Sequence, residues 1–258
     1  MKRLVAILTA CLLLAGCGGA AAPAAEPAAV RFAGDGMFLP TDEGVYELQS
    51  IAPGSANLFY IDAETGQRIF LCADPNCPHN VDSCTSYIAP PGASFPPLLL
   101  QGKDQLLVFF TGTDEGSAPR AMTMDYDGSN RRTAFTLSAN QQPMGSFFLA
   151  GDQLYFDLME TDQTGQNSYQ LWCADLSAGK AEKRLDLGVD GAYYTLCGSA
   201  GDRLCFQQVT PEGLCYCMYS IRENRMEQPF YTDTSASGNT LVSDGYLFTL
   251  DESARTVT

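Results

Sequence analysis

Apolar and aromatic residues recur along this chain in short runs cut by turns of Asp, Gly, Asn and Ser, and no segment sustains a helical period. Three runs open alike: Asp104-Gln105-Leu106-Leu107-Val108, Asp152-Gln153-Leu154-Tyr155-Phe156 and Asp202-Arg203-Leu204-Cys205-Phe206. Weaker copies begin at Asp42 and Asp244, so successive openings lie 62, 48, 50 and 42 residues apart. A second run follows within 20 residues, as Leu58-Phe59-Tyr60-Ile61-Asp62, Ala121-Met122-Thr123-Met124-Asp125 and Leu171-Trp172-Cys173-Ala174-Asp175, with a copy at Cys217-Met218-Tyr219-Ser220 that lacks the Asp. Turn chemistry followed by β-branched and aromatic residues predicts strands.

Polar reversals such as Asp62-Ala63-Glu64-Thr65-Gly66 lead into third strands at 69–71, 133–137 and 183–187, and apolar stretches at 97–100, 147–150 and 193–197 precede the openings as fourth ones. Four strands per repeat of 40 to 50 residues is the length of a β-propeller blade, and a blade buries both faces only against neighbours. The expected fold class is therefore all-β, a β-propeller of four-stranded blades; a pair of β-sandwiches or a β-solenoid is the rival, and the repeat length favours blades. Residues 37–236 account for four blades and 239–258 begin a fifth. Either an N-terminal strand completes a five-bladed ring, or the chain is a fragment of a larger propeller; the abrupt end favours the fragment.

The segment Met124-Asp125-Tyr126-Asp127-Gly128-Ser129-Asn130-Arg131-Arg132 resembles the outer hairpins of TolB-like and YWTD-like propellers, which often turn on Asp-Gly-Ser. That resemblance implies the same radial architecture.

The first residues follow other rules. Lys2 and Arg3 precede an apolar run from Leu4 to Leu14, and Leu14-Ala15-Gly16-Cys17 follows. A positive start, a short apolar core and small residues describe a secretory signal over 1–16, and the run is too short for the roughly 20 residues of a membrane-spanning helix. Leu-Ala-Gly-Cys resembles the lipobox of bacterial lipoproteins, which implies diacylglycerol on Cys17, a lipid anchor in the cell membrane and an extracytoplasmic location. Residues 17–30, rich in Ala and Pro, form a flexible tether, and 31–258 form the propeller domain. Removal of Lys2 and Arg3 leaves 13 basic against 30 acidic residues, a formal charge of −17. Such a surface repels phosphate backbones, so nucleic acid is not an expected partner.

The long first spacing holds a Cys/His-rich insert over 72–97. Its Cys72, Cys77, His79 and Cys84 follow the pattern C-x4-C-x-H-x4-C, and His79 is the only histidine. Three thiols and an imidazole make a complete tetrahedral set for structural zinc. A disulfide among the three cysteines is the alternative, favoured by export but leaving one thiol over. Phe70-Leu71-Cys72 through His79, followed by Cys84 and preceded by Tyr60, Asp62, Thr65 and Gly66, resembles a loop of exported propeller-like lipoproteins of Gram-positive gut bacteria. This resemblance implies a family and a habitat and brings no activity. Cys205 and Cys217 sit on neighbouring strands; one register permits a disulfide between them, and a slip of one residue separates them.

Catalytic motifs with a nucleophile elbow, a phosphate loop or a metalloprotease helix do not occur in the sequence. Asp125, Asp127 and Ser129 imitate the start of a calcium loop without its distal Glu, and a turn is the better reading. The leading expectation is a surface-tethered binding or scaffold module for an envelope or extracellular protein or glycan. A carboxylate-dependent carbohydrate enzyme, glycosidase or lyase, is the alternative, and it needs two facing carboxylates. A sensor or interaction module built on zinc is a third.

Overall fold

Leu106 to Phe110 are five consecutive buried residues. Such a run is stable only in a strand covered on both faces, because successive side chains of a strand point to opposite sides. The computed structural model describes residues 28–34, 36–52, 55–88, 97–112, 118–233, 240–243, 246–251 and 256–257, and every regular element among them is a strand. The signal segment, Cys17 and most of the tether lie outside the described residues.

The first strand among the described residues is β1 (Arg31–Gly34). Blade 1 consists of β2 (Phe38–Pro40), β3 (Gly44–Ala52), β4 (Ser55–Asp62) and β5 (Arg68–Phe70), with β6 (Tyr87–Ile88) pairing on β4. Blade 2 is β7 (Leu98–Gln101), β8 (Leu106–Phe110), β9 (Arg120–Met124) and β10 (Arg132–Thr136). Blade 3 is β11 (Gln141–Ala150), β12 (Gln153–Thr161), β13 (Asn167–Asp175) and β14 (Lys180–Val189). Blade 4 is β15 (Ala192–Ala200), β16 (Arg203–Thr210), β17 (Gly213–Ser220) and β18 (Arg225–Met226), and β19 (Tyr231–Asp233) also pairs with β17. A last sheet holds β20 (Thr240–Ser243), β21 (Tyr246–Asp251) and β22 (Thr256–Val257). Each blade is an antiparallel meander in sequence order. Blades 3 and 4 join into one continuous sheet through only two pairs, Gly188 with Tyr193 and Val189 with Ala192.

The seams between blades show the radial packing. On β8, Leu106, Val108 and Phe110 pack with Leu39, Leu48 and Leu58 of blade 1. Leu107 and Phe109 pack from the other face with Phe147, Leu154 and Phe156 of blade 3. On β16, Leu204 and Phe206 join Tyr155, Leu171 and Phe148 of blade 3, while Cys205 meets Val242 of the last sheet. Each blade thus covers one face of the next, the arrangement of a β-propeller.

Among the described residues, β1 is not paired with the last sheet, the pairing that a ring closed by an N-terminal strand would use. β1 pairs instead with β11, through Arg31 with Leu149 and Phe32 with Phe148. Its flanks reach two other blades: the Val30 N–H donates to the Gly201 carbonyl at 2.7 Å, and the Leu99 N–H donates to the Gly36 carbonyl at 2.7 Å. A Cβ on Gly34, at φ +139, would meet the Leu99 carbonyl oxygen at 2.7 Å, so this crossing admits only glycine.

Candidate metal centre

The Cys/His loop leaves the outer edge of blade 1 directly after β5. Its ends are closed on β4: the Leu58 N–H donates to the Ser86 carbonyl at 2.8 Å, the Ser86 hydroxyl to the Leu58 carbonyl at 2.7 Å, and the Thr85 hydroxyl to the Leu71 carbonyl at 2.7 Å. Between these ends the chain turns three times. The Cys72 N–H bonds the Phe70 carbonyl, the Cys77 N–H the Asp74 carbonyl, and the Cys84 N–H the Val81 carbonyl. The Asp74 carboxylate accepts from the Asn76 N–H at 2.9 Å and shapes the second turn.

His79 lies in the left-handed region at φ 54, which folds its N–H back onto the Cys77 sulfur at 3.4 Å. Its Nδ1 stands 3.5 Å from the Cys84 sulfur. The ring stacks on Phe70, with centroids 3.9 Å apart and planes 10° from parallel, so the last residue of β5 sets the imidazole plane. One ligand atom from each of Cys72, Cys77, His79 and Cys84 lies within 4.8 Å of the others. A tetrahedron with metal–sulfur bonds of about 2.3 Å has edges of about 3.8 Å, so a small contraction closes the set on an ion. The four predicted ligands are therefore brought together, and the described cysteines are all free thiols.

The sulfurs are unequal. Burial pushes the Cys84 thiol up to about 11, with Cys77 and Cys72 adding to the rise. Burial also opposes ionisation of Cys72, but the Asp74 N–H and the Cys84 and Cys77 thiols donate to its sulfur and hold it below the ordinary thiol range.

Arg131, at the end of the blade 2 turn, clamps this loop. Its Nη1 donates to the Tyr87 carbonyl at 2.6 Å, its Nη2 to the Thr85 carbonyl and its Nε to the Gly128 carbonyl at 2.9 Å. Burial lowers the Arg131 pKa and the nearby Cys84 thiolate raises it. A divalent ion held by three thiolates and an imidazole would carry one net negative charge, which the Arg131 guanidinium, already interacting with Cys84, would offset. The turn itself consumes its own polar groups: the Asp127 carboxylate accepts from the Ser129 N–H at 2.8 Å, and the Asn130 amide donates to the Asp125 carboxylate at 2.6 Å. It is a turn, as expected, and its calcium-like spacing is used for that. Sequence reasoning did not single out Arg131, and the pair of arginines closing an Asp-Gly-Ser turn was the available signal.

The other cysteines are separate from this centre. The register sets Cys205 opposite Met218 and Cys217 opposite Phe206, so the two thiols face opposite sides of blade 4. This is the slipped register, and it leaves no bridge between them. A bulge between Leu196 and Gly198 brings Cys197 beside Cys205 instead, its thiol donating to the Cys205 carbonyl at 3.4 Å. Trp172 packs against the seam of blades 2 and 3 and donates to the Gln170 side chain at 2.8 Å. Asp157 is the one carboxylate among the described residues that is fully buried, so no second buried carboxylate faces it.

No protein-family model matches the chain, and no curated protein matches it. Among solved structures, it is similar to a chain of the nidogen/laminin complex, 12% identical over 78% of this chain and 80% of that one, with a TM-score of 0.32. It is also similar to an oligogalacturonate lyase in complex with manganese, 9% identical over 90% of this chain and 84% of that one, with a TM-score of 0.37. The propeller architecture stands on the sheet order and the seams described above.

Proposed function

We propose that the protein is a lipid-anchored, extracytoplasmic β-propeller that acts as a binding or scaffold module, with a structural zinc at Cys72, Cys77, His79 and Cys84. The observation that carries the metal assignment is the convergence of these four ligand atoms within 4.8 Å. Soft thiolates with one imidazole suit zinc over calcium or magnesium, and four protein ligands fill a tetrahedron with no position left for substrate. Such an ion holds a loop in place and performs no chemistry. The Arg131 contacts make that loop part of the seam between blades 1 and 2, where a propeller presents its connecting segments to partners. The lipid on Cys17 would keep the module at the membrane.

Metal analysis and intact-mass measurement of the full-length protein purified from membranes test this reading. One zinc per chain and free sulfurs at the three loop cysteines are expected. A metal-free protein with bridged loop sulfurs would overturn the zinc assignment. Replacement of Cys17 by Ser is expected to release the protein from the membrane fraction, and unchanged membrane retention would overturn the anchor.

A further inference from the structure

The turn held by Arg131 also forms one wall of a cavity. An open pocket of about 530 Å³ lies at the seam of blades 1 and 2, lined by Thr41, Asp42, Glu43 and Tyr46 of blade 1 and by Gln101 and Tyr126 of blade 2. Tyr46 and Tyr126 place their ring centroids 5.7 Å apart with planes tilted by 37°. Tyr46 is backed in turn by its cross-strand partner Tyr60, with centroids 5.1 Å apart. The Tyr60 hydroxyl donates to the Glu43 carbonyl at 2.7 Å and ties the acidic turn to the tyrosine cluster. Among the described residues, Asp42 and Glu43 are exposed and enter no salt bridge, and no basic side chain lines the cavity. Burial, with Tyr60, Tyr126, Glu43 and Asp127 behind it, pushes the Tyr46 hydroxyl up to about 12, so its ring stays a neutral phenol.

We infer that this cavity binds an organic cation of the alkylammonium class, a quaternary ammonium or an amine side chain, on the faces of Tyr46 and Tyr126 with Asp42 and Glu43 supplying charge. The inference rests on the binding-module reading above and names its ligand chemistry. Aromatic faces attract ammonium groups through the ring quadrupole, and carboxylates without a cation of their own add to that attraction. A neutral sugar would use the rings but leave the charge pair unanswered. An anion is repelled by both, and the whole chain, at a formal −15, favours cations at a distance.

Titration calorimetry of the full-length, detergent-solubilised protein with choline, and with dimethylbutanol in which carbon replaces the charged nitrogen, tests the assignment. Choline is expected to bind about tenfold or more tightly than its neutral analogue, and the advantage is expected to shrink as salt rises. Tyr126→Ala should weaken choline about tenfold, Tyr126→Phe should retain it, and the pair Asp42→Asn with Glu43→Gln should remove most of the preference for charge. Equal binding of both compounds, or saturable calcium or sugar binding with choline silent, overturns the inference. Zinc content is measured on the same sample. A zinc-loaded protein indifferent to choline overturns the ligand and leaves the metal reading standing; a zinc-free protein that binds choline does the reverse.

Discussion

The guanidinium of Arg131 reaches across the seam between blades 2 and 1 and donates to the Tyr87 carbonyl at 2.6 Å, 44 residues earlier in the chain. The same group serves the carbonyls of Thr85 and Gly128, so one side chain satisfies three backbone oxygens of two loops. Replacement by Ala leaves these acceptors without their donor. The expected cost is about 2 kcal/mol, the scale of a lost charged hydrogen bond, read as a lower urea midpoint with an unchanged slope. Arg131→Lys keeps the charge but not the fork, and should fall between the two. A variant as stable as the parent would show that the clamp carries no stability.

Gly128 makes the second half of that junction. It stands at φ +81, and a Cβ there would run into the Thr85 carbonyl oxygen. Gly66, at φ +68, has open space around the same added atom. Gly66→Ala therefore costs only its backbone strain, roughly 1 kcal/mol. Gly128→Ala must in addition displace the end of the Cys/His loop, and should cost about 2–3 kcal/mol and lower the zinc content after dialysis. Equal melting temperatures for the two variants would contradict the contact.

Much of this was legible in the sequence, for a physical reason. Leu106-Leu107-Val108 and Leu154-Tyr155-Phe156 are apolar at successive positions because both faces of blades 2 and 3 are covered, and the recurring Asp marks the hairpin that starts each such strand. Cys72, Cys77, His79 and Cys84 were legible because their spacing is shorter than any intervening element. Three features were not. The pairing of β1 with β11 joins residues more than a hundred positions apart through a four-residue strand. The Cys205 and Cys217 register turns on a single residue, which alternation alone does not determine. The Arg131 clamp depends on backbone carbonyls, whose positions no side-chain pattern encodes.

The loop thiols should report their own chemistry once metal is removed. In the zinc-bound protein, Cys72, Cys77 and Cys84 are expected to resist alkylation. After chelation, Cys72 should react first, being half-buried and held below the ordinary thiol range by donors to its sulfur. Cys84, buried and pushed up to about 11, should react last of the three. Peptide mapping after timed iodoacetamide treatment gives the order. Alkylation of all three at the same rate before and after chelation would show that no ion protects them.

Asp157 should make stability depend on pH. It sits on β12 on the same face as Tyr155, in the seam of blades 3 and 4, where its Oδ2 accepts from the Leu196 N–H at 3.1 Å and its Oδ1 is buried without a partner. Burial raises its pKa from 3.8 to about 7, against the pull of the Leu196 N–H. The folded protein therefore binds this proton more tightly than the unfolded chain does. Its contribution is complete below about pH 4, falls as pH rises through about 7, and is absent above. The full span is bounded at roughly 4 kcal/mol by the size of the shift. Asp157→Asn keeps an acceptor for Leu196 and carries no charge. It is expected to match the parent near pH 4 and to exceed it at pH 8, with a flatter profile between. Urea denaturation at a series of pH values measures both curves, and parallel curves for parent and variant would show that Asp157 is not the group responsible.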